Sequence, residues 1–157
     1  MARKKDEAKA DAPPAAAKLV SPQDLLKIST TAAQAKAAEE AERAKKQAQV
    51  EKDLQEAFMG REVLPQAGER LNAAVRRAAE HGQNEIQVLT FPAKYLNDKG
   101  RRINNNESDW PVSLEGFAKK AYEYFERELK PMGYHLRVQV LDYPGGVPGT
   151  IGMYLRW

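Results

Sequence analysis

Residues 135–157 read HLRVQVLDYPGGVPGTIGMYLRW, and the pattern in this stretch predicts a β-hairpin. Leu136, Val138 and Val140 fall on one parity of a first strand. In the closing strand Ile151, Met153, Leu155 and Trp157 point inward, while Tyr154 and Arg156 point outward. Strict alternation of this kind is the signature of a strand with one buried face. Between the strands, residues 142–149 contain two prolines and three glycines, enough turn chemistry to reverse the chain.

Upstream, residues 113–131 predict a helix. Ser113 is positioned to cap it, Glu115 lies in its first turn, and Leu114, Phe117, Ala118, Ala121, Phe125 and Leu129 form its buried face. Pro131 and Gly133 close it. A strand is expected over 85–91, with Ile86 and Val88 on one face and Gln87, Leu89 and Phe91 on the other. Before it, residues 62–81 predict another helix, because Leu64, Ala67, Leu71, Ala74, Val75 and Ala78 recur at three- and four-residue steps. Pro65 marks its first turn, and His81 with Gly82 ends it.

The order is therefore α-β-α-β-β, an α+β class in which two helices cover one face of a three-stranded sheet. The first two strands, joined through a helix, are expected to run parallel through a right-handed crossover, which makes the sheet mixed. Residues 92–112 connect strand to helix over about 20 mostly polar residues, longer than an ordinary loop and of the length that functional or mobile loops have.

The N-terminal third is of different composition. Residues 1–20 offer little to bury and are expected to be a disordered arm. Ser21, Pro22 and Asp24 then make a helix start, and helical composition continues to Met59, with Gly60 as the stop. Large apolar residues sit at the two ends of this helix: Leu25, Leu26 and Ile28, then Val50, Leu54 and Phe58. Between them runs a stripe of alanines at 33, 37, 41, 44 and 48. Alanine buries little area, so this helix is either solvated or docks along a partner at close range. The expected division is an arm over 1–20, a long Ala/Lys/Glu-rich helix over 21–60 and the α+β domain over 61–157, with a fragment from Val63 expected to fold alone.

Composition narrows the function classes. The chain has 157 residues and no cysteine, so disulfides, thiolate ligands and a cysteine nucleophile are excluded. No apolar run approaches the ~20 residues that span a bilayer, and the start of the chain lacks the apolar core of a signal peptide. The expected setting is the cytoplasm. Net charge is +3 from 25 basic and 22 acidic residues, without the positive excess typical of proteins that live on nucleic-acid phosphates.

No catalytic or metal constellation emerges. His81 and His135 lie at element ends and lack companions at ligand spacing. The run NNNESD over 104–109 lacks the alternating acids and the glycine of a calcium loop. PGGVPG joins two strands, whereas a phosphate-cradling loop leads into a helix. Ser21, Ser108 and Ser113 have no accompanying base. No enzyme activity, cofactor, metal or small-molecule substrate is expected.

The outward sheet face is the more informative surface. By alternation it carries Gln87, Leu89, Phe91, Arg137, Gln139, Leu141, Tyr154 and Arg156, a mixture suited to recognition and loosely like the stacking surface of single-strand nucleic-acid binders. It is covered by the first helix, met by a protein, or used for nucleic acid. The candidate partner-binding residues are thus Ala37, Ala41 and Ala44 on the helix, Arg101 and Arg102 in the connection, and Phe91, Arg137, Tyr154 and Arg156 on the sheet.

Leu71, Ala74, Val75, Ala78, Gly82 and residues 85–88, with Leu129, Gly133, Tyr134, Leu136 and the closing Leu155, Arg156 and Trp157, resemble small helix–strand–helix–strand–strand domains of bacteriophage-encoded proteins, uncharacterised or virion-associated. The resemblance covers residues 69–157, omits the polar connection and carries over no functional residue. The alanine-striped helix, the arm and the missing catalytic chemistry lead us to expect a structural or assembly protein that docks on partner subunits through the arm and first helix, and the resemblance adds a virion as its setting if the chain is phage-encoded. The alternative is a nucleic-acid-binding module using the sheet face and the basic residues of 97–109.

Overall fold

The computed structural model describes residues 18–157; most of the arm expected over 1–20 lies outside them. The chain divides into two units between Gln47 and Ala48. Helix α1, Pro22–Gly60, contributes to both. Its start follows the capping logic of the sequence: Ser21 Oγ accepts the Asp24 N–H at 3.1 Å and donates to the Asp24 carboxylate at 2.7 Å. No residue of α1 is fully buried. Along 22–47 every side chain is exposed, and the helix there is supported by its own ladder and by local pairs such as Arg43 with Glu39 at 3.6 Å.

The second unit, Ala48–Trp157, holds the core. It begins with the end of α1, followed by α2 (Ala67–Glu80), β1 (Glu85–Pro92), the short helix α3 (Arg101–Asn104), α4 (Gly116–Tyr124), β2 (His135–Val140) and β3 (Thr150–Arg156). The expected α+β class and the α-β-α-β-β order of the main elements are observed. Helix α2 is shorter than its apolar pattern suggests, because Leu64 stays half-exposed in an irregular lead-in. Helix α4 continues as a π-turn over Phe125–Leu129 and a 3₁₀ turn over Lys130–Met132, where Pro131 withholds a backbone donor.

The sheet corrects the expected topology. Strand order is β1-β3-β2, and both pairings are antiparallel. β1 and β2 do run in the same direction, yet β3 lies between them, so the sheet is not mixed. The central position suits the strand that has most to bury: Ile151, Met153 and Leu155 are each at most 1% exposed. The polar and interrupted strands take the edges, where unmatched backbone groups meet water.

A β-bulge corrects the expected faces of β1. Gln87 pairs with Tyr154 and Leu89 with Met153, leaving Val88 unmatched. One extra residue reverses side-chain parity beyond it. Ile86, Leu89 and Phe91 therefore all face the core, and Val88 is the one left outside. Phe91, expected on the recognition face, is 3% exposed.

The connection over 92–112 is also corrected. It is folded into the core, with Ala93, Tyr95, Leu96 and Ile103 all buried beside Phe91, Leu114, Ala118, Ile151 and Met153. Its bends are held locally. Asp98 accepts the Gly100 and Arg102 N–H groups, each at 2.9 Å, and Asn97 Nδ2 donates to the Val112 carbonyl at 3.1 Å. Ser113 does not cap α4; it is fully buried and donates to the Trp110 carbonyl at 2.6 Å.

The last turn of α1 belongs to this core. The Phe58 ring lies 5.5 Å from Phe91, 5.0 Å from Tyr95 and 6.1 Å from Phe117, and Met59 packs beside it. Lys94 pairs with Glu51 at 2.9 Å. The end of α1 therefore belongs to the same compact unit as residues 61–157. Trp157, expected inward, lies beyond the end of β3 and is 39% exposed; its backbone N–H donates to the Asn84 carbonyl at 3.2 Å.

Candidate functional site

Alternation along β2 and β3, and the start of β1 before its bulge, places Glu85, Gln87, Arg137, Gln139, Tyr154 and Arg156 on the sheet face opposite the core. The register brings Gln87 and Arg137 to either side of Tyr154, and Glu85 to the side of Arg156. Arg137 and Glu85 sit on strands two spacings apart, roughly 9–10 Å, and the long arginine side chain crosses that gap. Its Nη2 lies 3.0 Å and its Nε 3.3 Å from the two Glu85 oxygens. On the way its guanidinium stacks over the Tyr154 ring, 4.4 Å from the centroid. Arg137 also donates to Gln139. The Tyr154 hydroxyl accepts from Gln87 at 3.2 Å and from Gln139 at 3.5 Å. Arg156 Nε lies 3.7 Å from Glu85.

This face is a closed polar network. One carboxylate, Glu85, is shared by two arginines, so part of their positive charge is offset within the face. The structure brings together Arg137, Tyr154 and Arg156 of the sequence-derived candidates. It adds Glu85, whose outward parity was readable in the sequence but whose pairing with β2 depended on the strand order. It removes Phe91 and Leu89.

Arg101 and Arg102 lie elsewhere, in α3, and both are paired. Arg102 has Asp109 at 3.2 Å, Asp98 at 3.6 Å and Glu107 at 3.9 Å, and Arg101 has Glu107 at 2.9 Å. Two cations facing three acids act as a brace for the 97–109 turns rather than as a basic patch. Ala37, Ala41 and Ala44 are exposed, on one face of α1 by their four- and three-residue steps.

Titration is perturbed at one cluster. Burial pushes the Tyr122 phenol up, helped by its hydrogen bond to Glu126 at 2.9 Å. Hydrogen bonds from Lys130, and then from Tyr122, hold Glu126 below the usual carboxylate range. Both shifts keep each group in the protonation state it has at neutral pH, as expected for a surface brace on the π-turn. Among the described residues no group of three or more His, Asp or Glu side chains is placed to hold a metal ion, and no helix is long and apolar enough to cross a membrane. Compared with known proteins, the chain matches no protein-family model, no curated protein and no solved structure.

Proposed function

We propose that this chain is a non-catalytic assembly protein, in which the Ala48–Trp157 unit is the folded body and residues 22–47 of α1 dock on neighbouring protein subunits. The observation that carries the reading is the state of that helical segment. It buries nothing, although Leu25, Leu26 and Ile28 are there to be buried, at 52–67% exposure. In proteins most helical stability comes from packing an apolar face, so a segment that leaves Leu25, Leu26 and Ile28 unpacked is best accounted for by a partner that covers them. The alanine face lets another helix approach closely. The resemblance of residues 69–157 to domains of bacteriophage-encoded proteins makes a phage particle the expected setting.

The nucleic-acid alternative has less behind it, because Arg137 and Arg156 share Glu85 and the 97–109 arginines are paired with acids.

Copies of the chain itself are the first partner to test. Sedimentation velocity over a concentration series should show reversible association of the full chain. Replacing Ala37, Ala41 and Ala44 with Gln keeps a good helix former at each site but adds bulk. It should weaken association at least about tenfold, a loss of ~1.4 kcal/mol or more, while the melting temperature of the folded body is unchanged. Association of equal strength in the triple variant, or a chain that stays monomeric throughout, would overturn self-assembly through this face.

A further inference from the structure

A second surface, separate from α1 residues 22–47, has the make-up of a peptide-binding groove. It runs between α2 and the free edge of β1, is closed at one end by residues 61–64 and floored by α4, and has a volume of about 350 Å³. Its apolar lining includes Leu71 and Phe117, and two side chains that remain well exposed, Leu64 at 51% and Val88 at 40%. Two arginines, Arg61 and Arg70, line it as well. The Arg61 guanidinium is stacked on Phe117, 4.2 Å from the ring centroid. Neither arginine has a carboxylate within ion-pair distance among the described residues, whereas the groove's acid, Glu62, is taken by Lys120. The groove therefore presents apolar surface and uncompensated positive charge together.

Its wall is an edge strand. Among the described residues β1 makes ladder bonds to β3 alone, so its other edge offers backbone donors and acceptors. An extended segment added to an edge takes affinity from main-chain bonds and specificity from alternate side chains in an adjoining groove. The bulge at Val88 breaks the flat edge that a second β1 would need for a long self-pairing, which favours a short strand of another protein over a second copy.

We infer that the α2–β1 groove binds a short extended peptide segment of a partner protein in which apolar residues alternate with carboxylates. The apolar side chains enter the groove over Leu64, Leu71 and Phe117, and the carboxylates meet Arg61 and Arg70. Because residues 22–47 play no part in it, this inference stands or falls independently of the assembly reading.

The test is fluorescence anisotropy of the full chain with a labelled hexapeptide of alternating valine and glutamate, beside a valine–lysine counterpart. The acidic peptide should bind saturably, more weakly as salt rises, and at least about tenfold tighter than the basic one. Arg70→Glu, at an exposed site on α2, should remove most of that preference with melting unchanged. Leu64→Asp, outside every helix and strand, should weaken the acidic peptide independently. Equal affinity for both peptides, no saturable binding of either, or full affinity in both variants would overturn the inference. So would concentration-dependent dimerisation that Leu64→Asp abolishes, since the occupant would then be a second copy.

Discussion

A fragment beginning at Val63 is expected to lose cooperative unfolding, while one beginning at Ala48 keeps the melting transition of the full chain. The difference between them is the end of α1. In the shorter fragment Phe91, Tyr95 and Phe117 lose the Phe58 ring that fills the space among them, and Met59 leaves the same cluster. Removing a core phenylalanine side chain typically costs ~3–5 kcal/mol, and a domain of this size has only ~5–15 kcal/mol in total. The ion pair of Lys94 with Glu51 disappears as well, but it is exposed and contributes little. Circular dichroism melts of the two fragments check this. A Val63 fragment with an unchanged, sharp transition would mean that Phe58 only rests on a core complete without it.

The second large effect is expected at one glycine. Gly116 opens α4 at φ +57, and a Cβ there would stand 2.8 Å from Met59 Cα and 2.7 Å from its sulfur. The left-handed backbone alone costs a residue with a Cβ about 1–2 kcal/mol, and overpacking against a backbone atom adds roughly 1–3 kcal/mol. Gly116→Ala should therefore destabilise by roughly 2–5 kcal/mol and lower the melting temperature by about 10 °C or more. Gly60→Ala is the control. Nothing lies within 4 Å of the Cβ it would carry, so it should leave stability unchanged or raise it by up to ~1 kcal/mol. If the two variants melt alike, α4 is not seated against the last turn of α1 as described.

The helices, the hairpin and the inward row of β3 were legible because each follows a single period over several residues. The bulge was harder to see, though the strand carries a trace of it. Residues 85–91 read EIQVLTF, with apolar residues on both parities, Ile86 and Val88 on one and Leu89 and Phe91 on the other. A half-buried strand with no irregularity has no use for two apolar parities, and one extra residue reconciles Ile86 with Leu89 and Phe91. The burial of 93–103 left almost no trace. Tyr95, Leu96 and Ile103 are spread among polar residues without a period, because short turns held by Asp98 and Asn97 place them one at a time. Strand order was beyond reach of pattern, since a helical crossover is compatible with neighbours or with a gap that a later strand fills.

The same limits governed the sites. The outward parity of Arg137, Tyr154 and Arg156 was readable, yet the pairing of both arginines with Glu85 required β3 between β1 and β2. The groove beside β1 is lined by Val88, which the bulge leaves outside the core, whereas alternation alone had placed Val88 on the same face as Ile86.

Helix α1 packs on the core through Phe58 and Met59 in its last turn, whereas every side chain over 22–47 is exposed and the helix there is held by its own hydrogen bonds. Native-state hydrogen exchange, in protein diluted until monomeric, measures this directly, since amides report the free energy of the opening that exposes them. Amides of residues 54–60 should exchange as slowly as those of β3, through global unfolding. Those of 22–47 should exchange faster by orders of magnitude, at the rate of a helix that frays without tertiary support. Uniform slow exchange along the whole of 22–60, or fast exchange reaching to Gly60, would contradict the account.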